Sequence, residues 1–113
     1  MTLSVTSAFD GGNIRVLSID GTTIELEIQR DQNSDFYQWF HFRLSGAAGQ
    51  TVRLVITNCA DSAYPDGWPN YKARVSEDRE SWSMAGTEYA DGRLTILVAP
   101  ESDALWVAYF APY

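Results

Sequence analysis

An all-β fold, an antiparallel β-sandwich of about eight to ten short strands, is what this sequence predicts. Nearly every apolar run alternates with a period of two, the pleat of a half-buried strand. Turn signals recur at regular spacing: Asp10-Gly11-Gly12-Asn13, Asp20-Gly21, Gly46-Ala47-Ala48-Gly49 and Asp91-Gly92. No stretch carries convincing helical periodicity. An orthogonally packed barrel is the alternative with the same signature. The length of 113 residues suits one domain, 1–113, with no internal repeat or linker. A chain of this size buries roughly 65 % of its unfolded surface, enough for a core without staples.

The elements follow in order. Leu3, Val5 and Ser7 alternate with Ser4, Thr6 and Ala8 as a short edge strand. Ile14 to Ile19 forms the next strand, and Asp20-Gly21 signals a hairpin. Beyond it Ile24, Leu26 and Ile28 face inward, with Glu25, Glu27 and Gln29 toward water. Arg30 to Asp35 is polar and reads as a loop. Phe36 to Gly46 is the most aromatic stretch and is expected to be the central strand. Phe36, Gln38, Phe40, Phe42 and Leu44 make its core face. Tyr37, Trp39, His41, Arg43 and Ser45 make an amphipathic one. Val52, Leu54 and Ile56 are the core face of the next strand.

Asn58 to Asn70 holds two prolines and a glycine, a loop long enough to suggest function. Tyr71, Ala73 and Val75 resume a strand, and Glu77-Asp78-Arg79-Glu80 turns the chain. Ser81-Trp82-Ser83 and Thr87 to Tyr89 are short strand elements. Leu94, Ile96 and Val98 line another core face. Leu105 to Phe110 is apolar on both faces, so both are expected to be covered. Phe110-Ala111-Pro112-Tyr113 lacks the polar tail of a fraying terminus, which suggests a chain cut where a second domain would begin.

Charge and composition exclude several function classes. A net charge of -7 repels phosphate backbones and anionic lipid, so nucleic acid and membrane surfaces are poor partners. No apolar run approaches the roughly 20 residues of a bilayer span. Met1 to Asp10 lacks the basic start and apolar block of a signal peptide. A single cysteine, Cys59, forms no internal disulfide and points to a reducing, cytoplasmic setting.

Catalytic chemistry finds little support. Common zinc sites need three protein ligands, usually including histidine, and His41 is the only histidine. The position that would complete His-x-x-Glu from His41 is Leu44. A thiol nucleophile at Cys59 would need His41, which lies on a different strand. There is no Gly-x-Ser-x-Gly elbow, and Asp10-Gly11-Gly12-Asn13 leads into no helix. Glu25 and Glu27 share a solvated sheet face. No catalytic, metal-binding or cofactor-binding residue is therefore assigned. The aromatic residues are what remains: Tyr64 and Trp68, in the proline-bearing loop, either fold back on the sheet or dock on a partner.

Several phrases together resemble one family. They are Phe36 to Gly46; Asn58 with Ser62-Ala63-Tyr64-Pro65-Asp66-Gly67-Trp68; Tyr71-Lys72-Ala73; Ser76 to Trp82; Thr87-Glu88-Tyr89; and Trp106 to Tyr113. In order and number they look like the N-terminal domain of cytosolic-type zinc carboxypeptidases, the metallocarboxypeptidase branch that includes the tubulin deglutamylases. The resemblance implies a non-catalytic β-sandwich that packs against and supports a C-terminal carboxypeptidase domain of the same protein. The family's zinc ligands, substrate-binding arginine and general-base glutamate lie beyond the Tyr109 to Tyr113 junction, so zinc is expected in the catalytic domain, outside this chain.

The face expected to meet that domain comprises Tyr64, Trp68, Trp106, Tyr109 and Tyr113, with Trp39 a weaker candidate. Without its partner such a face would be an exposed apolar patch, and the isolated domain would self-associate through it. The alternative function is a carbohydrate-binding module with open rings stacking on sugars. A freestanding immunoglobulin-like domain would need paired cysteines, which are absent.

Overall fold

The computed structural model describes residues 3–9, 12–29, 39–62 and 67–109. Within them the chain forms β1 (Ser4–Thr6), β2 (Arg15–Asp20), β3 (Thr23–Glu27), β4 (His41–Ser45) and β5 (Val52–Ile56). A 3-10 turn, Cys59–Asp61, is followed by β6 (Arg74–Ser76), β7 (Ser83–Met84), β8 (Gly86–Ala90), β9 (Arg93–Val98) and β10 (Ala104–Ala108). One five-stranded sheet has the order β1-β4-β10-β6-β7, and the other, also five-stranded, β2-β3-β5-β9-β8. The chain is the all-β sandwich its alternation predicts.

The core lies between the two inner faces. Phe40, Phe42, Leu44, Val107 and Leu105 come from the first sheet; Ile24, Leu26, Leu54, Ile56, Leu94 and Ile96 come from the second. Each set follows the period-two pattern, because adjacent side chains on a strand point to opposite faces. Two hairpins carry the expected turn chemistry. Gly21, at φ 61°, opens the two-residue loop between β2 and β3. Asp91 and Gly92, at φ 54° and 77°, place both central residues of the β8–β9 turn at positive φ, as a type I′ loop demands.

Three expectations are corrected. The aromatic strand is not central: β4 stands second in its sheet, and β10 occupies the middle between β4 and β6. β4 begins at His41, although the Phe40 carbonyl still accepts the Tyr109 N–H at 3.0 Å; Phe36, Tyr37 and Gln38 lie outside the described residues. The pairing is not wholly antiparallel, since β3 and β5 run parallel. Between them the chain visits the other sheet as β4, so it returns in its original direction. The strand expected from Tyr71 shortens to Arg74–Ser76. Ala73 instead bonds the corner, its N–H donating to Thr87 Oγ1 at 3.0 Å and its carbonyl accepting from the Ala85 N–H at 2.9 Å.

Two asparagines close the end where β3 and β5 finish. The Asn58 side chain donates to the Ile28 carbonyl at 2.9 Å and accepts its N–H at 3.0 Å, extending the parallel ladder with a side-chain amide. Asn13 pairs with the backbone of His41, while its amide also bonds Gln29 and Trp39. It therefore ties the end of β3 to the start of β4, across the two sheets.

Phe40 is 0 % exposed. Phe40→Ala is expected to cost about 3–5 kcal/mol, severe for a domain with about 5–15 kcal/mol in hand. Trp39→Ala, at a half-buried ring, is expected to cost clearly less. Urea unfolding midpoints that fail to separate the two variants would show the face assignment to be wrong.

Candidate interdomain surface

Two aromatic groups lie back to back across β4 and β10. The inner one closes the core. Trp68 stacks on Phe40 with ring centroids 6.3 Å apart, and meets Tyr71 at 5.3 Å and Tyr109 at 5.4 Å edge-on. Tyr71 and Tyr109 stack at 5.1 Å. The loop folds back to make this possible. Trp68 Nε1 donates to Ser62 Oγ at 2.7 Å, and Ser62 Oγ donates to the Cys59 carbonyl at 2.8 Å, so the buried indole N–H finds its acceptor. The Tyr71 hydroxyl donates to the carbonyl of Tyr109, at the end of β10. Burial, with Tyr109 adding to it, pushes the Tyr71 phenol above its ordinary range.

Trp68 is thereby corrected. Expected on the presented face, it is 0 % exposed and belongs to the core. Tyr109 is half-buried and joins the same cluster. Tyr64 and Tyr113 lie outside the described residues.

The outer group sits on the opposite face of β4 and β10. Trp106 lies across from Arg43 in the ladder, and the Arg43 guanidinium stands 5.5 Å from its ring centre. Arg79 stands 5.7 Å from the same ring and 5.9 Å from Phe9. A fixed turn carries Arg79 there. Asp78 Oδ1 accepts from the N–H groups of Glu80 and Ser81, and Ser76 Oγ from those of Asp78 and Arg79. The two N–H groups on the Asp78 carboxyl, with the Ser76 hydroxyl donating to it at 3.0 Å, hold it below its usual range, the Ser81 N–H contributing most. Arg79 itself takes φ 67° at the turn.

His41, 1 % exposed, is enclosed by rings on this side. Phe9, Trp39 and Trp82 contact it edge-on at 4.8, 5.8 and 6.1 Å. Neither of its ring nitrogens, nor Arg43 Nε, has a hydrogen-bond partner among the described residues. Burial first, and the Arg79 cation second, lower the His41 pKa from 6.5. Two arginines of the other sheet differ: Arg15 pairs with Glu27 at 3.3 Å and Arg93 with Glu25 at 3.5 Å. Arg43 and Arg79 have no such carboxylate among the described residues.

This arrangement suits recognition better than reaction. Cys59 is fully buried, its thiol pushed up to about 12 by desolvation, and its Sγ faces the Ile56 carbonyl at 3.9 Å. A neutral buried thiol is a poor nucleophile. Among the described residues no group of three or more His, Cys, Asp or Glu could hold a metal ion. Among the described residues the tryptophans form no open sugar platform: Trp39, Trp82 and Trp106 are each half-buried, and two guanidiniums stand over Trp106.

The sequence model for the cytosolic carboxypeptidase N-terminal domain matches residues 5–110. The chain belongs to that family. An uncharacterised protein of Zymomonas mobilis is 58 % identical over 113 residues, all of this chain and 30 % of its own. A metallo-carboxypeptidase of Burkholderia cenocepacia superposes with a TM-score of 0.96 at 44 % identity, covering 99 % of this chain and 30 % of its own. A Pseudomonas aeruginosa metallo-carboxypeptidase, solved with (2-guanidinoethylmercapto)succinic acid, gives 0.93 at 35 % identity over 97 % of this chain and 30 % of its own. This N-terminal domain thus spans about 30 % of the relatives it matches.

The ring cage around His41 makes a pH prediction. The unfolded chain binds a proton near 6.5, which the folded chain takes up only at lower pH. This contribution to stability is therefore complete above 6.5 and is lost as pH falls through 6.5 toward the folded value. His41→Phe is expected to flatten that part of the fall while keeping the domain folded. Urea midpoints for both proteins at about pH 7.5 and 5.5, on either side of the ordinary histidine value, check it. Equal losses in the two proteins would remove His41 as the cause.

Proposed function

We propose that this N-terminal domain is a non-catalytic support for a zinc-dependent carboxypeptidase domain that follows it in a longer cytoplasmic protein. The observation that carries the reading is its match, at 44 % identity and a TM-score of 0.96, to 30 % of a metallo-carboxypeptidase chain. Zinc, with its ligands and general base, belongs in the remaining part. The name of the matching family supports the cytosolic placement.

The docking face we assign is the outer side of the first sheet, with Trp106, Arg43 and Arg79 at its centre. Tyr64 and Tyr113 are assigned to the same contact on the sequence resemblance alone, while Tyr109 belongs to the inner cluster. Trp106 offers a rigid ring, and Arg43 and Arg79 offer donors that pair with no carboxylate among the described residues. Aromatic and arginine side chains are the usual anchors of such contacts. Acceptors from a neighbouring domain would satisfy Arg43 Nε. The carbohydrate-binding alternative is not favoured, since no open ring platform among the described residues supports it.

The test is reconstitution in trans. This chain is mixed with the separately produced remainder of the Burkholderia cenocepacia enzyme. Co-elution and a shift in tryptophan fluorescence are expected, together with a higher unfolding midpoint for the remainder. Trp106→Ala is expected to weaken association at least about tenfold, the cost of about 1.4 kcal/mol. Absence of association would overturn the docking. Chelator-sensitive hydrolysis of a C-terminal glutamate peptide by this chain alone would overturn the non-catalytic assignment.

A further inference from the structure

We propose that β2 is a self-pairing edge, through which two copies of this chain join their second sheets into one continuous sheet. Among the described residues β2 is the outermost strand of that sheet and pairs only with β3. Its other side leaves backbone donors and acceptors free, with no hydrogen bond to them among the described residues. An exposed edge strand is a template for another strand.

The six residues Arg15-Val16-Leu17-Ser18-Ile19-Asp20 are all exposed. Val16, Leu17 and Ile19 are among the few exposed large hydrophobics, at 37, 46 and 43 %. Val16 lies opposite Leu26 and Ile19 opposite Ile24, both core residues, so Val16 and Ile19 continue the inner face past its covered part. Arg15, Ser18 and Asp20 take the outer face, opposite Glu27, Glu25 and Thr23.

The strand is complementary to itself when reversed. Antiparallel pairing about the Leu17–Ser18 midpoint sets Arg15 opposite Asp20 of the second copy, both on the outer face. It sets Val16 opposite Ile19 of the second copy, both on the inner face. Symmetry repeats each pair, giving two opposite-charge pairs and two apolar pairs, the units that stabilise a sheet. The register shift of β2 lies between Val16 and Ser18, leaving Leu17 without a partner in β3. Reversal places each Leu17 beside Ser18 of the other copy, so the two irregularities offset one another. Arg15 is 65 % exposed in its pair with Glu27, free enough to reach a second carboxylate.

Such a contact is isologous and closes on itself, so it yields dimers rather than fibres. It is also distinct from the aromatic docking face, which lies on the other sheet. One strand per copy is a small interface, below roughly 1,200 Å², so a dissociation constant on the order of 10–100 µM is expected.

Sedimentation equilibrium of the chain across that concentration range tests the proposal, with circular dichroism confirming that each variant is folded. The wild type is expected to pass from monomer to dimer. Ile19→Lys is expected to stay monomeric throughout. Asp20→Arg and Arg15→Asp each place like charges opposite one another and are expected to weaken dimerisation at least ~10-fold. An equimolar mixture of those two variants restores opposite charges and is expected to dimerise again. A wild type that stays monomeric, a dimer unchanged by Ile19→Lys, or a mixture no tighter than its components would overturn the proposal.

Discussion

A two-layer sandwich leaves its interior open at each end, and burying a tryptophan there requires both apolar walls and an acceptor for its N–H. Trp68 supplies the plug at the end where β3 and β5 finish. Phe40, Tyr71 and Tyr109 form its walls, and Ser62 its acceptor. The rest of that end depends on this arrangement. The loop must fold inward for Trp68 to enter, so Ser62 and Cys59 are fixed beneath it. The end of β10 is held as well, through the Tyr71 hydroxyl. A buried indole without its acceptor would carry a desolvation penalty.

Much of this architecture can be read from the order of residues, where local chemistry decides it. Ile24, Leu26 and Ile28 alternate with Glu25, Glu27 and Gln29, and the first three are buried as the pleat requires. Asp91-Gly92 is a type I′ loop because few other pairs tolerate two positive φ values. Relations between distant segments are less visible. Nothing local in Val52 to Ile56 reveals that it runs parallel to β3, since either direction buries the same residues. The central place of β10 depends on which strands join it on both sides. Its doubly apolar sequence carried that signal, whereas the aromatic richness of Phe36 to Gly46 pointed to β4.

The candidate surface was half legible. An aromatic residue in a proline-bearing loop gives no direction by itself, and Trp68 turned inward because Ser62 satisfies its N–H. Trp106 could be named from composition, but its arginine neighbours could not. Arg43 reaches it across a ladder joining residues far apart in the chain. Arg79 reaches it through a turn whose geometry rests on Ser76 and Asp78. The Ser76 to Trp82 phrase carries part of the family likeness. Its physical role is to hold a cation above a ring.

Cys59 has a practical consequence of its own. It is the chain's only thiol, packed without solvent contact next to the segment that carries Trp68. A maleimide or aromatic disulfide can reach it only while that end of the sandwich is open. The speed of chemical labelling at low denaturant therefore clocks how often this end breathes. The native sequence thus contains its own kinetic probe, with no engineered dye site needed.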